Sequence, residues 1–281
     1  MEQGTSRRER RRRARKLRNR ICLTVIAALS LGAVLYSGFH LAGYYADYRA
    51  EKALEKELVQ LRNEAEGEDA QVASEVAIGD ANANKTGAKR TKEQLSFFYN
   101  KMKEKNEDYV CWITVRGAGI NYPVVQRDNS FYLNHDFEGE KNRHGSVFMD
   151  ENCDVQGDVL LLHGHHMKDG TMFGGLKKYK ESAFCEEHSE IVLEFEEEYA
   201  RYQIFAVAQV DLLAENSFRF EVLPQSSEEK VLYIEGLDRS SFWFDESVLA
   251  DGVENSAFLI LSTCDYGTEE ERLLVAAKKI E

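Results

Sequence analysis

Cys264, Arg272 and His165 are the residues whose types and spacing could break and remake an amide bond. Cys264 follows the unbroken apolar run Ala257-Phe258-Leu259-Ile260-Leu261 and the small polar pair Ser262-Thr263. That pattern puts a thiol at the end of a strand buried on both faces. Residues 265–271 are polar and contain Gly267, and a loop of that kind returns the chain antiparallel beside the strand it left. Arg272, at the head of Leu273-Leu274-Val275-Ala276-Ala277, should then lie across from Cys264. A thiol at a sheet rim facing a guanidinium suits acyl transfer, given an imidazole to carry the proton. Asp265, Glu269, Glu270 and Glu271 crowd the loop, and because nearby negative charge disfavours a thiolate, a mostly neutral resting thiol is expected.

The imidazole comes from Leu160-Leu161-Leu162-His163-Gly164-His165-His166-Met167, a second buried strand that ends in titratable rings. Clustered histidines raise a metal reading, but the HxHxDH pattern of metallo-hydrolases needs Asp at 167 and His at 168. Here those positions hold Met167 and Lys168, and no further ligand set follows at recognisable spacing. Neither a metal nor a cofactor is expected. Gly164 lets the backbone bring the His165 ring close to a neighbour, whereas His163 and His166 read more simply as strand-capping residues.

These strands need a scaffold, and 281 residues at 43% hydrophobic content can supply a core. The net charge of −13 hides an asymmetry. Residues 1–20 are strongly basic, and residues 21–46 then contain no Asp, Glu, Lys or Arg. A run of that length can span a bilayer, and the preceding arginines fix a cytoplasmic N-terminus. The run is too long for a cleaved signal peptide, so a single-pass anchor is expected at the cell membrane, with all that follows outside. The basic block then faces lipid headgroups, and no nucleic acid is expected as a partner. Residues 47–90 read as a stalk helix striped by Leu54, Leu58 and Leu61, followed by a polar flexible linker. The folded domain is expected over 91–281, opening on a capping box between Thr91 and Gln94.

Beyond Asp108 the pattern changes to short β-branched and aromatic runs at 109–115, 120–126, 145–149, 159–163, 190–195 and 201–210, with helical stretches at 171–179 and 227–237. Many short strands with few helices make the chain mainly β and argue for a closed barrel. The five cysteines are widely and irregularly spaced, so pairing among Cys111, Cys153 and Cys185 stays open, while Cys22 falls within the anchor.

Four blocks in this order resemble the class B sortases, membrane-anchored cysteine transpeptidases of Gram-positive bacteria. They are Asn121-Tyr122-Pro123-Val124-Val125-Gln126 with Asp128-Asn129-Ser130-Phe131-Tyr132-Leu133; Gly145-Ser146-Val147-Phe148-Met149-Asp150; Gly164-His165-His166-Met167 with Gly170-Thr171-Met172-Phe173; and Leu261-Ser262-Thr263-Cys264 with Arg272. The resemblance covers residues 91–280. It implies an eight-stranded sortase β-barrel with N-terminal helices and a helix-bearing insertion, here residues 211–255, before the strand that ends in the cysteine. It further implies Cys264 as nucleophile, His165 as acid/base, Arg272 as oxyanion-stabilising group, and Asn129, Leu133, Ser262 and Thr263 as substrate-binding residues. Where the family usually has Tyr two residues before the histidine, this chain has His163. The implied reaction cleaves a C-terminal sorting signal of a surface protein after Thr and passes the product to an amine of a peptidoglycan precursor or a pilin. A hydrolytic cysteine protease and a catalytically idle membrane-bound assembly module are the alternatives.

Overall fold

The computed structural model describes residues 7–64, 90–264 and 270–281. Most of the acidic loop after Cys264, including Asp265 and Glu269, and most of the polar linker after the stalk lie outside the described residues. The chain divides into two units, Met1–Ala50 and Glu51–Glu281.

The described part of the first unit, residues 7–50, is helical and belongs to α1 (Arg7–Glu64). Its apolar side chains are open: Leu23, Leu29, Val34, Leu35 and Phe39 are all exposed. By length and composition, this is a helix able to cross a membrane, with a mean hydropathy of 2.0 over its most apolar window.

In the second unit, the last turns of α1 lie against the sheet. Leu58 is buried together with Phe98, Met102, Tyr109 and Trp112, and Leu54 and Leu61 pack at the margin of that cluster. The leucine stripe read as a stalk therefore covers a hydrophobic face of the domain. Arg62 and Arg90, on either side of the undescribed linker, both reach the Glu194 carboxylate. α2 (Lys92–Lys105) starts as its sequence dictates: Thr91 Oγ1 accepts from Gln94 N at 3.3 Å, and Gln94 Oε1 accepts from Thr91 N at 3.0 Å. Its apolar face buries Leu95, Phe98 and Met102, with Phe98 edge-on to Trp112 at 5.6 Å.

Among the described residues nine strands follow: β1 (Tyr109–Val115), β2 (Ile120–Gln126), β3 (Val147–Met149), β4 (Val159–His163), β5 (Glu190–Glu194), β6 (Tyr199–Asp211), β7 (Ser241–Phe244), β8 (Phe258–Cys264) and β9 (Glu271–Lys279). Eight of them run in the order β5-β1-β2-β3-β4-β8-β9-β6, and the β5–β6 pairing closes the ring. Closure removes the free edges an open sheet would present. β7 pairs with β6 outside that ring. The β2–β3 and β4–β8 pairs are parallel, and the remaining pairs are antiparallel. Leu161, Leu162, Ile260, Leu261, Leu273 and Leu274 are fully buried at the middle of the ring, each contributing about 1.5–3 kcal/mol. Continuous apolar runs in β4 and β8 thus reflect burial on both faces.

The insertion carries α4, which spans Ser227–Ser240; α3 is the short Ser182–Glu187. Ser226 caps α4 through Glu229 N at 3.2 Å. Buried Lys230 on α4 donates to Asp158 Oδ2 at 2.6 Å and to Ser256 O at 2.9 Å. It thereby fastens together the starts of β4 and β8, the two strands that end at the candidate site.

Two local readings change. The stretch 171–179 is not an α-helix but a tight 3₁₀ turn over Gly174–Lys180, followed by α3. Adjacent Gly174 and Gly175 weaken an α-helix, and a Cβ on Gly175 would sit 1.9 Å from Ala118 O. β7 was not legible as a strand, because its four residues are only half-buried or exposed and show no alternation.

Candidate active site

Across the antiparallel β8–β9 pair, Cys264 and Arg272 are direct register partners. Residues paired in this way project to the same face of a sheet with Cβ atoms about 4.5–5.5 Å apart, so sulfur and guanidinium share one side of the rim. Both are half-buried. Arg272 Nη1 also donates to Glu271 O at 3.2 Å. Among the loop carboxylates, Glu271 is engaged sideways, accepting from Gln209 Nε2 at 3.0 Å.

On the other side of β8, the β4 ladder ends with His163 opposite Ser262, but the two chains stay joined further. Gly164 N donates to Ser262 O at 3.2 Å, Thr263 Oγ1 donates to Gly164 O at 2.7 Å, and His166 Nδ1 donates to Cys264 O at 2.9 Å. His165 is thereby carried in the segment that runs alongside Thr263 and Cys264. A Cβ on Gly164 would meet the Phe173 ring at 2.8 Å, which is why glycine precedes this histidine. The loop then folds back: Phe173 N donates to His165 O at 3.0 Å. Met172 takes a positive φ of 50° at the turn, a conformation costly for a non-glycine residue.

His165 is half-buried, and its Nε2 lies 2.6 Å from Leu133 O. A carbonyl only accepts, so Nε2 carries a proton and Nδ1 is left to exchange one. Leu133 sits at the end of the 3₁₀ turn Phe131–Leu133. The residue is 43% exposed, while its carbonyl orients the imidazole.

The other named positions have different surroundings. Ser262 and Thr263 are each only 2% exposed, and the Thr263 hydroxyl is spent on the Gly164 carbonyl. Asn129 Nδ2 donates to Asp150 Oδ2 at 2.9 Å, and Asn129 Oδ1 accepts from Glu151 N at 2.8 Å. His163, read as a strand cap, has its Nε2 3.0 Å from the same Asp150 Oδ2. Asp150 is buried at the end of β3 and had no role assigned from sequence. Its only signal there is a carboxylate directly after the apolar Val147-Phe148-Met149. Burial would raise its pKa, but hydrogen bonds from His163 and Asn152 prevail and hold it down at about 2.

Among the described residues, no cysteine forms a disulfide. Cys111, Cys153 and Cys185 are buried, and burial pushes all three thiols up, Cys153 and Cys185 to about 11. Cys264 is the one cysteine of the second unit with solvent access, as a nucleophile requires. Among the described residues, no three of His, Cys, Asp and Glu are grouped so as to hold a metal ion.

Comparison with known proteins bears on the family and the fold. The Sortase domain family matches residues 113–280. Sortase B of Staphylococcus aureus is 32% identical over 191 residues, covering 65% of this chain and 75% of that protein. A serine-for-cysteine mutant form of Clostridium perfringens sortase B superposes with a TM-score of 0.61 at 28% identity, over 68% of this chain and 90% of that one. The Staphylococcus aureus sortase B–substrate complex shares the fold with a TM-score of 0.64 at 24% identity, over 85% of this chain and 98% of that one. The closed eight-stranded ring, the family match over most of it and the coverage of the Staphylococcus aureus relative together make this chain a member of the sortase family, among the class B sortases.

Proposed function

We propose that the protein is a membrane-anchored cysteine transpeptidase that cleaves the C-terminal sorting signal of surface proteins after Thr and transfers the product to an amine. The observation that carries this reading is the pairing of Cys264 with Arg272, with the His165 segment tied along β8 on the other side. His165 Nδ1 takes the proton from the Cys264 thiol as Sγ bonds to the Thr carbonyl carbon. The carbonyl oxygen becomes an anion beside Arg272, whose charge is permanent. The C–N bond then breaks, the proton on His165 goes to the departing amine, and a thioester remains on Cys264. An incoming amine attacks that carbonyl, gives up a proton and releases Cys264 as a thiol. An amide nitrogen leaves poorly without protonation, so His165 should supply about 10²- to 10⁴-fold in rate.

Leu133, exposed and with its backbone carbonyl on the His165 ring, is the best supported of the substrate-contacting positions. Asn129, Ser262 and Thr263 would act through what they hold in place. The acceptor is an amine of a peptidoglycan precursor or of a pilin. Arginines before an apolar helix support an anchor with its N-terminus in the cytoplasm and the catalytic domain outside. Purified full-length protein in detergent, given a library of sorting-signal peptides with and without a primary amine, should yield an amine-ligated product. Hydrolysed peptide alone at saturating amine would overturn transfer in favour of a protease.

A further inference from the structure

We propose that Asp150 is a positioning residue for His165, acting through His163 and Asn129. The inference rests on the transpeptidase reading for its consequence in catalysis, but the geometry stands on its own. One carboxylate oxygen, Asp150 Oδ2, receives both His163 Nε2 at 3.0 Å and Asn129 Nδ2 at 2.9 Å. These two partners lie on the two chain segments that position the His165 ring, the one that carries it and the one whose Leu133 carbonyl accepts from it.

His163 is two residues before His165, at the end of β4, with its ring packed on Phe148 at 5.1 Å between centroids. Holding His163 fixes where the Gly164–His165 backbone leaves the sheet. Asn129 begins the segment that runs through the Phe131–Leu133 turn to the carbonyl that accepts from His165 Nε2 at 2.6 Å. Holding Asn129, which also receives Glu151 N at 2.8 Å, fixes where that acceptor sits.

Asp150 is itself immobilised. Its Oδ1 accepts from Asn152 N at 2.9 Å and from Asn152 Nδ2 at 3.0 Å, and its backbone N donates to Leu161 O at 2.9 Å on β4. With every donor in this set directed at the carboxylate, an amide in its place would turn a donor toward donors and break one branch. A displacement of about 1 Å in a catalytic group can cost on the order of 10²-fold in rate. Asp150 is thus a single buried point through which both supports of the imidazole pass.

The test uses full-length protein in detergent, with histidine nitrogens labelled and the His165 resonances assigned by their loss in His165→Gln. Wild type should show a slowly exchanging Nε2–H at His165. In Asp150→Asn and His163→Leu that proton should exchange at least tenfold faster. His163→Gln, which keeps a donor at similar reach, should restore slow exchange. This readout needs no substrate, so it stands or falls separately from the transpeptidase reading. With a cleaved peptide in hand, kcat should fall at least tenfold in Asp150→Asn and His163→Leu with KM within about threefold. Val192→Ala on β5, matched for lost thermal stability, should keep its kcat. Unchanged exchange at His165 in His163→Leu, or an equal loss of kcat in the Val192→Ala control, would overturn the proposal.

Discussion

Cys264 and Arg272 face each other as register partners on antiparallel strands, so the spacing of their Cβ atoms, and the face on which both side chains start, is set by sheet geometry and not by loop conformation. A hydrogen-bonded ladder is among the stiffest ways to hold two side chains a few ångströms apart. Strand exit points likewise supply His165, which leaves the sheet directly after β4.

Arg272→Lys keeps the charge and discards the planar fork. Loss of one oxyanion donor typically costs about 10²- to 10³-fold in kcat. We expect a fall of that order with little change in thermal stability, read by steady-state peptide cleavage. Activity within threefold of wild type would remove Arg272 from the oxyanion site.

Gly145 has φ +60°, and a Cβ there would lie 2.4 Å from Tyr132 O and 2.9 Å from Leu133 O. Gly145→Ala should therefore cost about 1–3 kcal/mol and also push the Leu133 carbonyl away from His165. Gly119, with φ +71° and nothing within 4 Å, provides the comparison. Gly119→Ala should be destabilised by backbone strain alone. Urea unfolding together with kcat for both variants checks this, and equal kcat values would break the link between Leu133 and His165.

Glu194, 4% exposed, holds Arg62 through paired contacts at 2.9 and 3.2 Å and also binds Arg90. Arg62 further donates to Asn121 Oδ1 at 2.8 Å and lies over the Trp112 ring at 5.1 Å. Removing one partner of a buried ionic cluster costs about 3–5 kcal/mol. Glu194→Ala should lose that much, and amide exchange should rise first in residues 51–64, ahead of the barrel. Exchange spread evenly over the chain would contradict a docking role for this cluster.

Glu51 is buried, and burial, together with Asp136, Glu55 and Asp169, pushes its carboxyl up to about 8 despite Lys52. A carboxyl with a raised folded pKa binds its proton more tightly in the native state. Stability from this group is complete below the ordinary carboxylate range and is lost as pH rises from about 4.5 towards about 8, by at most about 1.4 kcal/mol per pH unit. Glu51→Gln should remove this slope and be more stable than wild type at pH 8, as read by denaturant midpoints across pH. Parallel pH curves would refute it.

Much of this arrangement is written locally. Unbroken apolar runs mark β4 and β8, the Thr91–Gln94 pair marks the start of α2, and the loop length implies that Arg272 returns opposite Cys264. What the sequence hides depends on distant partners. Leu54, Leu58 and Leu61 make the same stripe whether a helix stands free or covers a sheet, and only the aromatic cluster of Phe98, Tyr109 and Trp112 decides between them. Asp150 is one carboxylate at a strand end, and its meaning arises from Asn129 and His163, which approach it from other segments. The helix read at 171–179 forms as the shorter, tighter 3₁₀ helix Gly174–Lys180, where Gly175 makes a close backbone approach to Ala118.

The most direct measurement is the mass of the enzyme itself after brief mixing with a cleaved sorting-signal peptide in the absence of amine. The account predicts an adduct equal to the peptide up to its Thr, located by fragmentation on Cys264, released by a primary amine and accumulating when amine is withheld. Turnover with no adduct on Cys264, or undiminished turnover in Cys264→Ala, would contradict it.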